Sequence, residues 1–205
     1  MPAAALILLL AFLLGTIPFG YLLFRWRRGG DIRRTGSGNI GATNVLRTGG
    51  KGLGAATLVL DAAKGWVALE VALHGPVAGW VGAGALVAVV LGHVCTPWLR
   101  GRGGKGVATA LGAFVALAPW ALLATVGVFA LVLAWRRYVS LASICACVAL
   151  PLWLVTPLQP GPFSPANEVA AVIVAAIIIA RHRANLERLR RGTECKIGQK
   201  LGAQA

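Results

Sequence analysis

The residues with the clearest chemical potential are Gly101-Arg102-Gly103-Gly104-Lys105-Gly106, a glycine-rich basic turn running straight into an apolar stretch. Without side chains in the way, the N–H groups of Gly103, Gly104 and Gly106 can converge on one anion. A helix beginning at 106 adds its positive dipole end, and Lys105 adds a full charge. The expected ligand is a phosphate. The Walker A pattern is excluded, because Leu99 stands where it needs Gly and Gly106 where it needs Ser or Thr. Nucleotide hydrolysis is therefore not the expected use.

A second small-residue loop, Gly36-Ser37-Gly38-Asn39-Ile40-Gly41-Ala42-Thr43-Asn44, is followed by Arg47. It matches G-x-G-x-x-G in form, but a dinucleotide fold needs a strand before it, and an apolar span precedes it here. What remains is a hydrogen-bonding loop with Arg47 placed to clamp a phosphate bidentately. A third segment carries His182 and Asn185, spaced i,i+3 on a helix leaving the last apolar run. His182 and Glu187 imitate an H-x4-D dyad, but residues five apart on a helix lie about 140° apart, so that pairing fails. No paired carboxylates, metal-ligand cluster or Ser-His-Asp set emerges. Six acidic residues are too few for metal-dependent phosphotransfer of the CDP-alcohol type, and its aspartate-rich motif is absent. The expectation is an anion site with no metal, no cofactor and no protein nucleophile.

The elements that must position these groups are membrane helices. Of 205 residues, 58% are hydrophobic, and the mean hydropathy is +0.76; the class is an all-α integral membrane protein. A net charge of +14 would suit nucleic acid if spread over a soluble surface, but every Lys and Arg except Lys64 lies outside the apolar runs or, like Arg181, at the end of one. Nucleic acid is therefore excluded. Residues 3–24 lack the preceding positive charge and cleavage site of a signal peptide. The four cysteines form no C-x-x-C pair and read as reduced packing residues.

Apolar runs fall at 3–24, 53–73, 77–97, 106–118, 119–135, 138–157 and 166–181. As one helix, 106–135 would be ~45 Å long against a ~30 Å hydrocarbon core, and Pro119 interrupts it. Broken there, it puts all four basic segments on one face of the bilayer, with connections near 74–76, 118–119 and 158–165 that hold no Lys or Arg. The reading is a single polytopic domain over 1–205. It has about seven spans, an outer N-terminus, a cytoplasmic C-terminus, and motif segments at 25–52, 98–106 and 181–205. A five-span chain with a re-entrant segment is the alternative. The outer loop 157–165 is a stiff connector.

Charged and polar groups also lie inside the spans. Asp61 and Lys64, spaced i,i+3, read either as a structural ion pair or as part of a substrate pathway. Glu70 reaches water near the outer end. Ser140 and Ser143 taken alone are backbone-bonding or packing residues. His93, just ahead of the glycine turn, is a packing residue or a support for the site.

Taken in order, Gly36–Asn44 with Arg47, Gly103-Gly104-Lys105-Gly106-Val107-Ala108-Thr109, and Arg181-His182-Arg183-Ala184-Asn185-Leu186 with Gly192-Thr193-Glu194 resemble the three motifs of the bacterial acyl-phosphate-dependent glycerol-3-phosphate acyltransferases. The span pattern is similar over nearly the whole chain. The resemblance implies an enzyme of the bacterial inner membrane with its active site facing the cytoplasm. It would transfer a fatty acyl group from acyl phosphate, rather than from acyl-CoA or acyl carrier protein, to the 1-position of sn-glycerol 3-phosphate. Lysophosphatidic acid and phosphate are the products. By position, Ser37, Arg47, Lys105, His182 and Asn185 are the implied catalytic residues. Asn39, Thr43, Gly103, Gly104, Gly106 and one serine of the Ser140/Ser143 pair, with Ser143 preferred, bind the phosphates. The base is either His182 or, as the resemblance favours, a phosphate oxygen of the donor. Two rivals remain: a small organic-phosphate transporter, which should show inverted repeats, and a lipid-binding membrane protein.

Overall fold

The structure, a computed structural model, describes residues 1–75, 79–156 and 164–199. The described residues are helical and fall into two compact units, Met1–Leu117 and Ala118–Ala205. The connector expected at 157–165 lies almost wholly outside the described residues.

In the first unit α1 (Pro2–Thr16) and α2 (Phe19–Arg28) occupy the first apolar run. That run was expected to be uninterrupted. Pro18 has no N–H to continue the ladder and pushes Ile17 into an extended conformation (φ −64°, ψ 114°), so the helix breaks. α2 stops at Gly29, left-handed at φ 71°, with Arg25, Arg27 and Arg28 in its last turn where the dipole favours cations. After a short 3-10 turn at Ile32–Arg34 come α3 (Ala42–Gly49), α4 (Lys51–Leu73), α5 (Val81–Val94) and α6 (Val107–Leu117). α1 packs on α5, and α4 packs on α6, α3 and α5. The α4–α6 contact is backbone on backbone: a Cβ on Gly112 would collide with the Ala62 carbonyl, and one on Gly65 with that of Thr109. Small residues at a crossing serve this purpose in membranes, where lipid supplies no hydrophobic drive between helices.

The second unit holds α7 (Pro119–Arg136), α8 (Val139–Leu154), α9 (Pro165–Arg181) and α10 (Arg183–Arg190). The expected break at Pro119 is present, since α6 ends at Leu117 and α7 takes Pro119 in its first turn. Ser164 caps α9 by accepting from the N–H of Asn167, and α9 and α10 meet at a bend of 54°.

Burial is inverted relative to a soluble domain. α1 buries Ala4, Ile7, Ala11, Gly15 and Thr16 and exposes Leu6, Leu9, Leu10 and Leu13, while α7 buries only Ala121 and Thr125. Large apolar side chains facing outward are what a lipid solvent asks for. By length and composition, Pro2–Arg28, Val81–Leu99 and Pro119–Arg136 can each cross a bilayer, and the bent pair α9–α10 would make a fourth span. α6 and α8, at 11 and 16 residues, are shorter than the ~20 a perpendicular span needs. α4 is long enough but carries Asp61, Lys64 and Glu70.

Candidate active site

In the first unit the two expected phosphate-handling segments lie together. Ile32, Ile40 and Val45 from the first loop join Leu99 from the second, and Phe24 from α2, in one buried apolar cluster flanked by Tyr21 and Leu53. Each loop is thereby pinned by its own apolar residue, and the polar residues between them are left outside the cluster.

The first loop is shaped by Asn44, which is 2% exposed. Its amide donates to the carbonyls of Asn39 (2.8 Å) and Thr35 (3.1 Å), and its Oδ1 accepts from the Ser37 N–H (2.9 Å). Asn39 accepts in turn from the Gly41 N–H at 2.8 Å. The Ser37 and Gly41 amides are therefore engaged within the loop itself. Ser37 is exposed and Thr43 and Arg47 half-buried, with Arg47 in the last turn of α3. Asp31 caps the preceding 3-10 turn. The Arg33 guanidinium hydrogen-bonded to it brings its carboxyl down to about 2.

The glycine turn corrects one expectation. The Gly103 N–H donates to the Val94 carbonyl (3.1 Å) and the Gly104 N–H to the His93 carbonyl (3.2 Å), so neither amide points to an anion. These two positions are glycine because the turn lies against the end of α5. A Cβ at 103 would strike the carbonyls of His93 and Val94, and one at 104 the His93 ring. Gly106, at φ 91°, turns the chain into α6 and accepts the first helical bond, from Ala110 at 2.8 Å. The donors at this end for an anion are Lys105, half-buried, and the first turn of α6.

The second unit gathers a different set around Glu194. This carboxylate is 5% exposed. It accepts from Asn185 Nδ2 (2.7 Å), Ser140 Oγ (2.8 Å) and Arg188 Nε (2.7 Å). Burial by itself raises its pKa; the bonds from Arg188, Asn185 and Ser140 outweigh this and hold it below the ordinary glutamate value. Ser143, preferred on sequence, instead donates to the Val139 carbonyl of its own helix (2.8 Å), so Ser140 is the serine joined to Asn185. His182 sits at the α9–α10 bend and is 2% exposed, its Nδ1–H donating to the Ile178 carbonyl at 2.8 Å. That bond makes Nε2 the acceptor atom of the neutral ring. Beside Glu194 lies a polar cavity of about 410 Å³, lined also by Arg137, Tyr138 and Lys196.

Glu194 and Asn44 were missed as site-forming residues. For Glu194 a signal existed, since it is one of two acids, with Glu187, in the basic segment 181–205. Its link to Ser140, 54 residues away, is invisible in sequence.

Compared with known proteins, the chain matches the family model described as glycerol-3-phosphate acyltransferase over residues 5–192. It is 43% identical over 204 residues to the glycerol-3-phosphate acyltransferase of Synechococcus elongatus, covering 95% of each chain. To that of Geotalea daltonii it is 46% identical over 185 residues, covering 90% of this chain and 92% of the relative. Among solved structures it is similar to PlsY (YgiH), an integral membrane glycerol 3-phosphate acyltransferase. The glycerol 3-phosphate form gives a TM-score of 0.89 at 38% identity, covering 95% and 96% of the two chains. The lysophosphatidic acid form gives 0.86 at 37% identity, with 95% of each covered.

Proposed function

Because the chain belongs to the glycerol-3-phosphate acyltransferase family, we propose that it acylates the 1-hydroxyl of sn-glycerol 3-phosphate with acyl phosphate as donor, releasing lysophosphatidic acid and phosphate. The observation that carries the reading is the shared cluster of Ile40, Val45 and Leu99, which joins the Arg47 loop to the Lys105 turn. A cation on each of two adjoining loops suits a reaction in which both substrates are anionic.

The chemistry needs little from the protein beyond holding. Acyl phosphate is a mixed anhydride with a good leaving group. The glycerol oxygen attacks the acyl carbon, the carbon–oxygen bond to phosphate breaks, and the hydroxyl proton passes to an oxygen of that phosphate. Orientation of two bound reactants is worth as much as ~7–11 kcal/mol. Arg47, Lys105 and the first turn of α6 offset the repulsion between the phosphates and favour the departing one. Ser37, Asn39 and Thr43 hydrogen-bond the phosphates from the first loop. His182, through Nε2, and Asn185 orient the glycerol hydroxyl.

The enzyme lies in the bacterial inner membrane as about seven spans, some short or tilted, with the basic segments cytoplasmic. Incubating the purified protein with acyl phosphate and labelled glycerol 3-phosphate tests the assignment. Labelled lysophosphatidic acid is expected with that donor and not with acyl-CoA; its absence with acyl phosphate refutes the reading.

A further inference from the structure

Lys64 and Asp61 are among the most buried charges of the first unit, their side chains 1% and 2% exposed. The Lys64 ammonium meets three acceptors from three elements: Asp61 Oδ1 on its own helix (2.8 Å), the Ile17 carbonyl at the α1–α2 break (2.7 Å), and Nδ1 of His93 on α5 (2.9 Å). His93 Nδ1 lies 3.6 Å from the same Asp61 oxygen. An ammonium only donates, so Nδ1 is the acceptor and this network assigns the ring proton to Nε2. The Nε2 edge is the one that a Cβ on Gly104 would strike, and the His93 carbonyl takes the Gly104 N–H. The residue after that glycine is Lys105.

The break in α1–α2 is tied to the same turn from its other side. Thr96 Oγ1 donates to the Thr16 carbonyl (2.6 Å), Trp98 Nε1 donates to Thr16 Oγ1 (2.9 Å), and the Gly101 N–H donates to the Thr96 carbonyl (3.0 Å). The helix break, the buried ammonium and the glycine turn thus form one closed set of hydrogen bonds. Apolar residues would hold α4 against α5 as well without burying charge. What only directed bonds supply is a fixed orientation of His93 against the turn.

We propose that Asp61, Lys64 and His93 are positioning residues for the acyl transfer: they fix the 101–106 turn, and so set where Lys105 and the start of α6 meet the substrate phosphate, without touching substrate. The consequence for catalysis rests on the proposed phosphate role of Lys105; the ordering of the turn does not.

The test compares His93→Leu, His93→Gln and the double variant Asp61→Leu/Lys64→Met, which removes the buried pair whole and so avoids stranding a charge. In purified, detergent-solubilised protein, amide exchange is followed in a peptide spanning 100–108 and in peptides from the second unit, with steady-state kinetics alongside. In His93→Leu and in the double variant the turn should exchange faster by about tenfold while the second unit is unchanged. KM for glycerol 3-phosphate should rise more than kcat falls. His93→Gln, whose amide oxygen accepts from Lys64, should restore both to within about threefold of wild type. Unchanged exchange at the turn in both disrupted variants overturns the proposal, as does protection lost evenly through the chain with no rescue by Gln. Full activity in Lys105→Ala would sink the phosphate assignment and leave the exchange result standing.

Discussion

Glu194 offers a prediction whose size follows from its partners. One oxygen serves Ser140 and Asn185, both buried, and the other serves Arg188, whose side chain is 36% exposed. A Gln at 194 keeps the shape and one acceptor. With its oxygen toward Ser140 and Asn185, it turns an NH2 group toward the Arg188 N–H and loses that bond alone. Solvent reaches the Arg188 end of this pair and screens it, so the cost is about 1 kcal/mol. Alanine instead leaves the Asn185 and Ser140 groups buried without their acceptor, at about 1–3 kcal/mol each, or about 3–7 kcal/mol together with the Arg188 bond. In a protein of this size 1 kcal/mol corresponds to about 2–4 °C in Tm. Glu194→Gln should therefore melt a few degrees below wild type, and Glu194→Ala about 6 °C or more below. The pH dependence has a definite sign. The folded pKa is depressed below the ordinary value of 4.5, so the carboxylate stabilises above that pH and its contribution is lost as pH falls through the folded pKa. The gap between wild type and Glu194→Gln should be constant near neutrality and close in acid below 4.5. Thermal melts from pH 7 to pH 3, with circular dichroism at each step, give the curve. Equal melting of Ala and Gln variants, or a gap that widens in acid, would refute the reasoning.

Other expected outcomes are simpler to state. Lys105→Ala should keep its helical circular dichroism and lose about 100-fold or more in kcat/KM, the scale of one preorganised electrostatic group; a wild-type rate contradicts the phosphate site. Gly103→Ala and Gly104→Ala should each lower Tm, the first because a Cβ meets the His93 and Val94 carbonyls and the second because it meets the buried His93 ring held by Lys64, with a typical overpacking cost of about 1–3 kcal/mol; a wild-type Tm in either contradicts this packing. His182→Ala should keep measurable turnover, with a loss below the ~100-fold that marks the low end of general-base catalysis. Normal binding of both substrates with no turnover would instead make His182 the base.

What the sequence disclosed was mainly what is written in contiguous residues. Apolar runs became helices, Pro119 broke the fourth and fifth as expected, and the i,i+3 spacing of Asp61 and Lys64 became an ion pair. Pro18 was equally visible, yet a hydropathy window across 3–24 passes over one proline among apolar neighbours. The glycines at 103 and 104 illustrate a deeper ambiguity. Gly serves equally for presenting an amide to a ligand and for letting another backbone approach, and only the neighbour distinguishes the two. Ser140 and Ser143 differ by one helical turn, and that the first bonds Glu194 while the second bonds its own helix depends on a residue far along the chain. Asn44 had the same difficulty within one loop, since its bonds run to carbonyls whose directions sequence does not encode.

The interruption at Pro18 bears on how two of the helices are held together. An α-helix entering lipid normally satisfies its own backbone groups; at this break the Ile17 carbonyl accepts a local bond from the Phe19 N–H (3.2 Å) and a second, at 2.7 Å, from the ammonium of Lys64, 47 residues on. The buried cation on α4 thus finds one of its three acceptors at the interruption in the first apolar run. A proline that interrupts one helix therefore also makes a landing place for a charge carried by another, and the two helices are held in register by a polar bond where lipid offers none.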